Sequence, residues 1–423
     1  MFILDDYGLP KLGATGLDGA LSEEQGAVQD NLRRFAREVM RPAGRALDTL
    51  SAADSIAPGS PLWGYITAFR DAGILDMEAL AGMSPAQKAQ MVPLIFEELG
   101  WGDCGLGLLG LVQAFPAFAA YMSGDSELIE RFGSSIGCWV GTQPERGSDL
   151  VDMDTTELHP GSRQGAGNLT AKIEGERVVF NGQTSAWVSG APIAQAGYVF
   201  CQCDYGDGFW NAKGGMNYIA ALVPFDLPGI SKGQPLEKLG QRPLPQGQVF
   251  FDGVSIPQKY VVAGREQAYP AFLGALTFGN MEMAFTFTGV ARAAFEHALA
   301  YVHERRQGGC ALIEHQSVRL RLFDMWRKLE AARALARRVA DYNFGPHGPH
   351  LLASITSKTY VTQAAFEVAD EAVQLLGGNG LTREYPVEKL FRDARAALIE
   401  DGENNLLSLK GASYLSAWFK AGQ

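Results

Sequence analysis

The stretch Gln374-Leu375-Leu376-Gly377-Gly378-Asn379-Gly380, continued by Glu384-Tyr385-Pro386-Val387-Glu388-Lys389-Leu390-Phe391-Arg392-Asp393-Ala394-Arg395 and then by Ile399-Glu400-Asp401-Gly402, is the densest pattern in the chain. Its glycine cluster ends one helical segment, because glycine relieves the strain of the left-handed residue that commonly follows a helix. The Tyr385-Pro386 step opens a second helix, along which charged and apolar residues recur at helical spacing. A carboxylate pair, Glu400-Asp401, then stands directly before Gly402.

The chain that carries this pattern has 423 residues, of which 47% are hydrophobic and 20% charged. That is enough apolar material for a large core split into two or three domains. A net charge of −11 and the absence of dense lysine or arginine runs argue against a surface that neutralises nucleic-acid phosphates. The opening Met1-Phe2-Ile3-Leu4-Asp5-Asp6 has neither a basic nor an apolar targeting region, and no run of about 18 apolar residues stands out. The expected compartment is the cytoplasm, with no membrane span. Cys104, Cys138, Cys201, Cys203 and Cys310 match neither a disulfide framework nor a zinc signature.

Texture divides the chain in three. Residues 1–137 read as helical, with a capping box at Ser22-Glu23-Glu24-Gln25 and helices over Pro61–Ala72 and Gln87–Leu99. Residues 138–264 read as β, with strands expected at Arg177–Phe180, Tyr198–Cys201, Tyr218–Val223 and Gln248–Phe251, and a hairpin turn at Asn181-Gly182. Residues 265–423 return to long helices, of which Met281–Glu304 is the clearest.

These motifs together resemble the acyl-CoA dehydrogenase superfamily over about residues 138–407. The resemblance implies an α+β multidomain fold: a helical N-terminal domain, a central β-barrel or sandwich, and a C-terminal four-helix bundle. In that family the catalytic glutamate immediately precedes the final glycine, and here Asp401 occupies the slot. Glu400 is its close rival if the alignment slips by one. Trp139-Val140-Gly141-Thr142-Gln143-Pro144-Glu145-Arg146-Gly147-Ser148-Asp149 is similar to the loop that lines the flavin ring, with Gln143 in place of a glutamate. It assigns Trp139, Gly141, Thr142 and Ser148 to FAD, with Ser148 and Gly402 also near substrate. Trp187-Val188-Ser189 resembles the triplet that packs on the isoalloxazine, with Trp187 and Ser189 on one strand face. Lys238-Leu239-Gly240, Arg242 and Phe251–Pro257 match an architectural β segment of the family.

Arg305-Arg306-Gln307-Gly308-Gly309 with Gln316 follows the family's Arg-x-x-Phe-Gly element, although Gly308 stands where an aromatic is usual. A guanidinium suits a pyrophosphate because its forked donors engage two oxygens at once. Arg305, Gln316, Gln374, Gly377, Gly378, Glu403 and Asn405 thereby take cofactor-binding roles by resemblance. Some members place the base on the helix before this element, where this chain has Gly279. Asn280 replaces a common arginine. His315 has no partner at metal spacing and reads as structural, and no metal is expected.

The implied activity is FAD-dependent α,β-dehydrogenation of an acyl-CoA thioester, with Asp401 taking the α-proton and flavin N5 the hydride. An electron-transfer flavoprotein would be the acceptor and a homotetramer the assembly. Nitroalkane oxidase offers the alternative, since it uses an aspartate as base and shares Gly308-Gly309 and Ile313–Val318. It differs in carrying an arginine where this chain has Ser408. Acyl-carrier-protein thioesters remain a further alternative.

Overall fold

The computed structural model describes residues 12, 16–17, 21–153, 167–211 and 215–422; the opening six residues, read above for targeting, lie outside them. The N-terminal helices begin where the capping box places them. The Ser22 hydroxyl accepts from Gln25 N–H, the Gln25 side chain accepts from Ser22 N–H, and the helix Glu23–Phe35 follows. Pro61–Asp71 and Pro85–Val112 follow in turn, each with a serine N-cap and a proline in its first turn, where a missing N–H costs nothing.

An 18-residue window within Pro85–Ser123 has a mean hydropathy of 1.5, enough by length and composition to cross a bilayer, but 67% of that window is buried inside the fold. It serves as a core helix. Its apolar run is interrupted by Glu97 and Glu98, both buried and both paired to arginines.

The central region contains β1 (Gly137–Val140), β2 (Leu169–Glu174), β3 (Arg177–Gln183), β4 (Val188–Ser189), β5 (Ala196–Asp204), β6 (Tyr218–Pro224), β7 (Ile230–Lys232), β8 (Gln246–Gly247), β9 (Val249–Pro257) and β10 (Val261–Gly264). Eight of these form one mixed sheet in the order β10-β6-β5-β2-β3-β9-β7, with β1 also paired to β5, and β4 pairs with β8 apart from it. The strand order is an open path from β10 to β7, so the expected barrel is corrected to an unclosed sheet. Alternation divides its side chains. Tyr198, Phe200 and Tyr218 join the core shared with the helices, whereas Val199, Cys201, Ile219 and Ala221 build a second core within the β region.

One turn falls elsewhere than the sequence suggested. Asn181-Gly182 lies inside β3, and the hairpin that joins β2 to β3 turns at Gly175-Glu176, with Glu174 opposite Arg177. Gly182 instead marks a register shift against β9: its φ is 115° and an added Cβ would sit 1.8 Å from the Asn168 carbonyl oxygen. Glycine is required there for a bulge rather than for a turn.

The helix expected at Met281–Glu304 extends over Arg265–Glu304. It packs against Pro85–Val112, Gln316–Phe344 and Leu351–Leu376, and Asn404–Ala421 closes the C-terminal bundle against Leu351–Leu376. All five cysteines are free thiols, four of them buried.

Candidate active site

Asp401 and Gly402 occupy a loop between the helices Val387–Ala396 and Asn404–Ala421, and both have left-handed backbones, with φ of 50° and 95°. Aspartate tolerates that region better than most residues, and a Cβ on Gly402 would meet Leu407 Cδ2 at 2.8 Å. The turn aims Asp401 back at the long helix. Its Oδ2 lies 3.5 Å from the position a Cβ on Gly279 would take, and Asn280 Nδ2 donates to the Asp401 carbonyl at 2.9 Å. The slot used for a base on that helix thus faces the aspartate directly.

Burial pushes the Asp401 carboxyl above the usual range, opposed by the Lys358 ammonium. Glu400 points elsewhere: it accepts from Gln241 Nε2 at 2.8 Å. Burial raises Glu400 to about 7, against the Gln241 hydrogen bond and the Lys238 charge. Of the two adjacent carboxylates, only Asp401 is turned toward Gly279. Lys358 Nζ donates to Gly402 O and to Asn404 Oδ1, each at 2.8 Å.

Glu282, one helical turn beyond Gly279, was not legible as a site residue. It is fully buried, its Oε1 accepts from Thr286 Oγ1 at 2.6 Å, and its Oε2 has no partner. Burial raises it to about 8, with the Thr286 hydrogen bond opposing and the charges of Asp401 and Glu400 adding. The folded protein therefore keeps this proton while the unfolded chain loses it near the ordinary value of about 4.3. Glu282 lowers stability as pH rises from there toward 8. Replacing Glu282 with Gln should flatten this fall, which denaturant midpoints measured from pH 5 to pH 8 would register; an unchanged slope would refute the assignment.

The loops expected to line a flavin meet the same region. Ser148 Oγ accepts from Glu403 N–H at 3.2 Å, which ties the loop after β1 to the Asp401 turn. Thr142 Oγ1 and Ser185 Oγ lie 2.7 Å apart, and Ser185 Oγ also accepts from Trp187 N–H. Gln143 accepts from Leu169 N–H at 2.9 Å, so the amide in place of the usual glutamate has a structural partner. Gly141 follows β1 and is buried beside Phe272, while Trp139 stacks on Phe115 with centroids 5.3 Å apart. The Trp139 indole N–H is buried without a partner.

Trp187 is not on a strand with Ser189, as expected above, but in the turn before the two-residue β4, where it is 61% exposed. The Ser189 hydroxyl accepts from Gln246 Nε2 at 3.0 Å. Glu403 and Asn405 face each other: the Glu403 carboxylate caps the helix Asn404–Ala421 and accepts from Asn405 Nδ2 at 2.9 Å. Capping explains a carboxylate at this position without any cofactor contact.

A second group assembles at the far end of the long helix. Arg305, Gln374, Gly377 and Gly378 line a cleft of 410 Å³ together with Arg321, Tyr301 and Asn379. Asn379 Nδ2 donates to the Tyr301 hydroxyl at 3.0 Å. Gln316 stands at the start of its helix and is not among the cleft's lining residues. Gly308 has φ of 65° in the tight turn between Arg306–Gln307 and Cys310–Ala311, a backbone that favours glycine. His315 Nε2 lies 3.0 Å from Gln307 O and 3.4 Å from Cys310 Sγ, a structural setting. Among the described residues no group of side chains is arranged to hold a metal.

Arg305 and Gly279 are 26 residues apart on and just beyond one helix, roughly 39 Å at the α-helical rise. One protomer therefore does not bring the two groups together.

Comparison with known proteins agrees with this architecture. A family model described as "Acyl-CoA dehydrogenase, C-terminal domain" matches residues 269–412. Benzylmalonyl-CoA dehydrogenase of Aromatoleum aromaticum is 29% identical over 95% of this chain and 100% of its own length. Cyclohexane-1-carbonyl-CoA dehydrogenase of Geobacter metallireducens is 26% identical over 92% and 96%. Among solved structures, glutaryl-CoA dehydrogenase from Mycobacterium smegmatis superposes with a TM-score of 0.79 at 23% identity, covering 96% of this chain and 98% of that one. An active-site variant of nitroalkane oxidase crystallised with 1-nitrooctane gives 0.80 at 19%, covering 95% and 97%. Matched by that family model and by acyl-CoA dehydrogenases along nearly their whole length, this protein belongs to the acyl-CoA dehydrogenase superfamily.

Proposed function

We propose that the protein is an FAD-dependent oxidoreductase that desaturates an acyl-CoA thioester between its α and β carbons. The observation that carries the reading is the Asp401 turn, whose carboxyl faces Gly279 while the adjoining Glu403 N–H holds Ser148 of the flavin-type loop. FAD fits the residues present: the partnerless Trp139 indole N–H, the exposed Trp187 ring and the Arg305 cleft offer a donor, a stacking face and a pyrophosphate cation. When bound, it supplies the acceptor for the β-hydride.

The chain's own residues do the rest. Asp401 takes the α-proton, and burial makes its carboxylate a stronger base than one in water. The backbone N–H of Asp401 is the proposed donor to the thioester oxygen, where enolate charge develops. Gly402 and Ser148 bound the substrate's reacting end. Because Arg305 and Asp401 are farther apart than one extended flavin dinucleotide reaches, we assign the Arg305 cleft to the cofactor of a partner copy. A homotetramer accommodates this. Exposed Leu415, Trp418 and Phe419 on the last helix, with Leu320 and Phe323, are the apolar surface available for it.

A base one methylene shorter than glutamate, facing a glycine, leaves room for a bulky acyl group. The relatives named for benzylmalonyl-CoA and cyclohexane-1-carbonyl-CoA favour an acyl group that bears a ring. An electron-transfer flavoprotein is the proposed acceptor. The nitroalkane reading is weaker, because Ser408 stands where that enzyme has an arginine and spends its hydroxyl on Asn404 O.

Anaerobic addition of straight, branched, alicyclic and aryl acyl-CoA esters to the yellow holoenzyme should bleach the flavin with at least one of them, fastest with a cyclic ester. Nitroethane should cause no oxygen uptake. A colourless protein after FAD addition, or rapid oxygen consumption with nitroethane and no bleaching by any thioester, would overturn the proposal.

A further inference from the structure

The Asp401 turn is enclosed by acids. Glu282 faces it from the long helix, Glu400 and Glu403 from its own loop, and the helix Leu351–Leu376 contributes a single cation, Lys358. Lys358 is fully buried, an expensive place for an ammonium unless its donors and charge are used. Two of its three donors are accounted for, by Gly402 O and Asn404 Oδ1. The second contact is itself braced, since Asn404 Nδ2 donates to Thr362 Oγ1 at 3.0 Å, one turn along the same helix as Lys358. Lys358 is thus locked to the residue directly after the base and to the start of the helix that follows it.

Resting on Asp401 as the base, we propose that Lys358 is the positioning residue of the reaction: its ammonium clamps the Asp401-Gly402 turn and directs negative charge onto Asp401 rather than onto Glu282. The clamp follows from the two short contacts. The charge selection follows from the surroundings of each acid. Glu400 feels Lys358 as well, but has its own cation, Lys238, and an amide donor, Gln241, and does not compete for the proton of Glu282. Glu282 has only the Thr286 hydroxyl and an oxygen with no partner, a setting for a neutral acid. Asp401 has Lys358. The charge of Asp401 raises Glu282 in this low-dielectric site, so of this pair the carboxyl beside Lys358 ionises and the other keeps its proton.

Burial lowers Lys358 to about 8, against the attraction of Asp401, Glu400 and Glu403. Its charge therefore begins to be lost just above neutrality, which gives the proposal a pH signature. Lys358→Gln retains a donor for Gly402 O and deletes the charge. Asn404→Leu retains the charge and deletes half of the clamp. Flavin reduction by a saturating acyl-CoA, followed by stopped flow from pH 5.5 to 9.5 in the FAD-loaded enzymes, separates the two contributions.

In Lys358→Gln the acidic limb should move to higher pH by about one unit, the direction expected when a stabilising cation is removed from a carboxylate. Any alkaline limb due to Lys358 should vanish. In Asn404→Leu both limbs should stay in place while the rate falls about tenfold, as expected for a loosened base. Unmoved limbs in Lys358→Gln would overturn the charge selection, and an undiminished rate in Asn404→Leu would overturn the clamp. Should Lys358→Gln not fold, the Asn404→Leu result still decides the clamp, and Lys358→Met, which also deletes the charge, decides the charge selection by the same shift of the acidic limb. An Asp401→Asn variant assayed alongside keeps the two readings apart: if it reduces flavin normally, the base assignment fails, whereas if it is inactive and Lys358→Gln behaves as wild type, only the role of Lys358 fails.

Discussion

Substitution of Asp401 by Asn is expected to leave FAD bound and the fold intact while slowing acyl-CoA-dependent flavin bleaching about 10³- to 10⁴-fold, the upper range for loss of a positioned general base. The amide has the same shape, so the left-handed turn and the Asn280 contact to the Asp401 carbonyl should survive. What disappears is the proton acceptor. The structure offers no ready substitute: Glu282 is buried as a neutral acid one turn beyond Gly279 on the long helix, and Glu400 is held by Gln241. Gly279, on the opposing helix, has no side chain to take over. Binding of the thioester should change little, because the amide still fills the pocket, so kcat carries nearly all of the loss. Restoring reach with Asp401→Glu tests the shorter base in turn. If a ring-bearing acyl group needs the space, the glutamate should favour straight-chain esters. Bleaching by Asp401→Asn at near the wild-type rate would place the base elsewhere.

The parts of this molecule that were legible in the sequence are those fixed by neighbours in the chain. The Ser22 capping box needs only Gln25, and the strands of the central sheet announce themselves by short β-branched and aromatic runs. The Asp401-Gly402 turn was likewise readable as a carboxylate before a glycine. Where long-range partners decide, local reading failed. Asn181-Gly182 looked like a hairpin turn, but pairing with β9 carries β3 straight through it and turns Gly182 into a bulge. Trp187 looked like a strand residue, yet β4 pairs with β8 over two residues only and leaves the tryptophan in a turn. The sheet's failure to close depends on which strands lie at its ends, and no local pattern encodes that. Lys358 and Glu282 were invisible as site residues because each sits on an ordinary-looking helix, and their meaning comes from a loop 44 residues away for Lys358 and, for Glu282, from the same turn across the bundle.

The largest effect on stability should come from Arg292, at the centre of the buried ion network in the core. Arg292 Nη1 donates to Glu97 at 2.9 Å and to Glu98 at 3.0 Å, and Nη2 donates to Glu98 at 2.8 Å. Arg333 adds a contact to Glu97 at 3.0 Å and Arg33 one to Glu98 at 2.7 Å, so the network joins four helices. The two adjacent buried glutamates are tolerable only with these partners. Burial alone would raise the Glu97 carboxyl, but Arg333, Arg292 and Arg337 outweigh it and hold it at about 2. Arg292→Met keeps most of the volume and removes the one cation shared by Glu97 and Glu98, leaving Glu97 to Arg333 and Glu98 to Arg33. Loss of one partner from such a buried network costs about 3–5 kcal/mol, and the denaturant midpoint should fall accordingly. The acid response carries a sign that distinguishes charge from packing. A carboxyl depressed in the folded state contributes stability that is full above its unfolded value near 4.3 and is lost as pH falls toward 2. Arg292→Met should therefore lose most of its stability deficit relative to wild type as pH drops through that window, whereas a mere packing defect would persist at every pH. A deficit that stays constant from pH 7 down to pH 3 would show that the arginine acts through its volume rather than its charge.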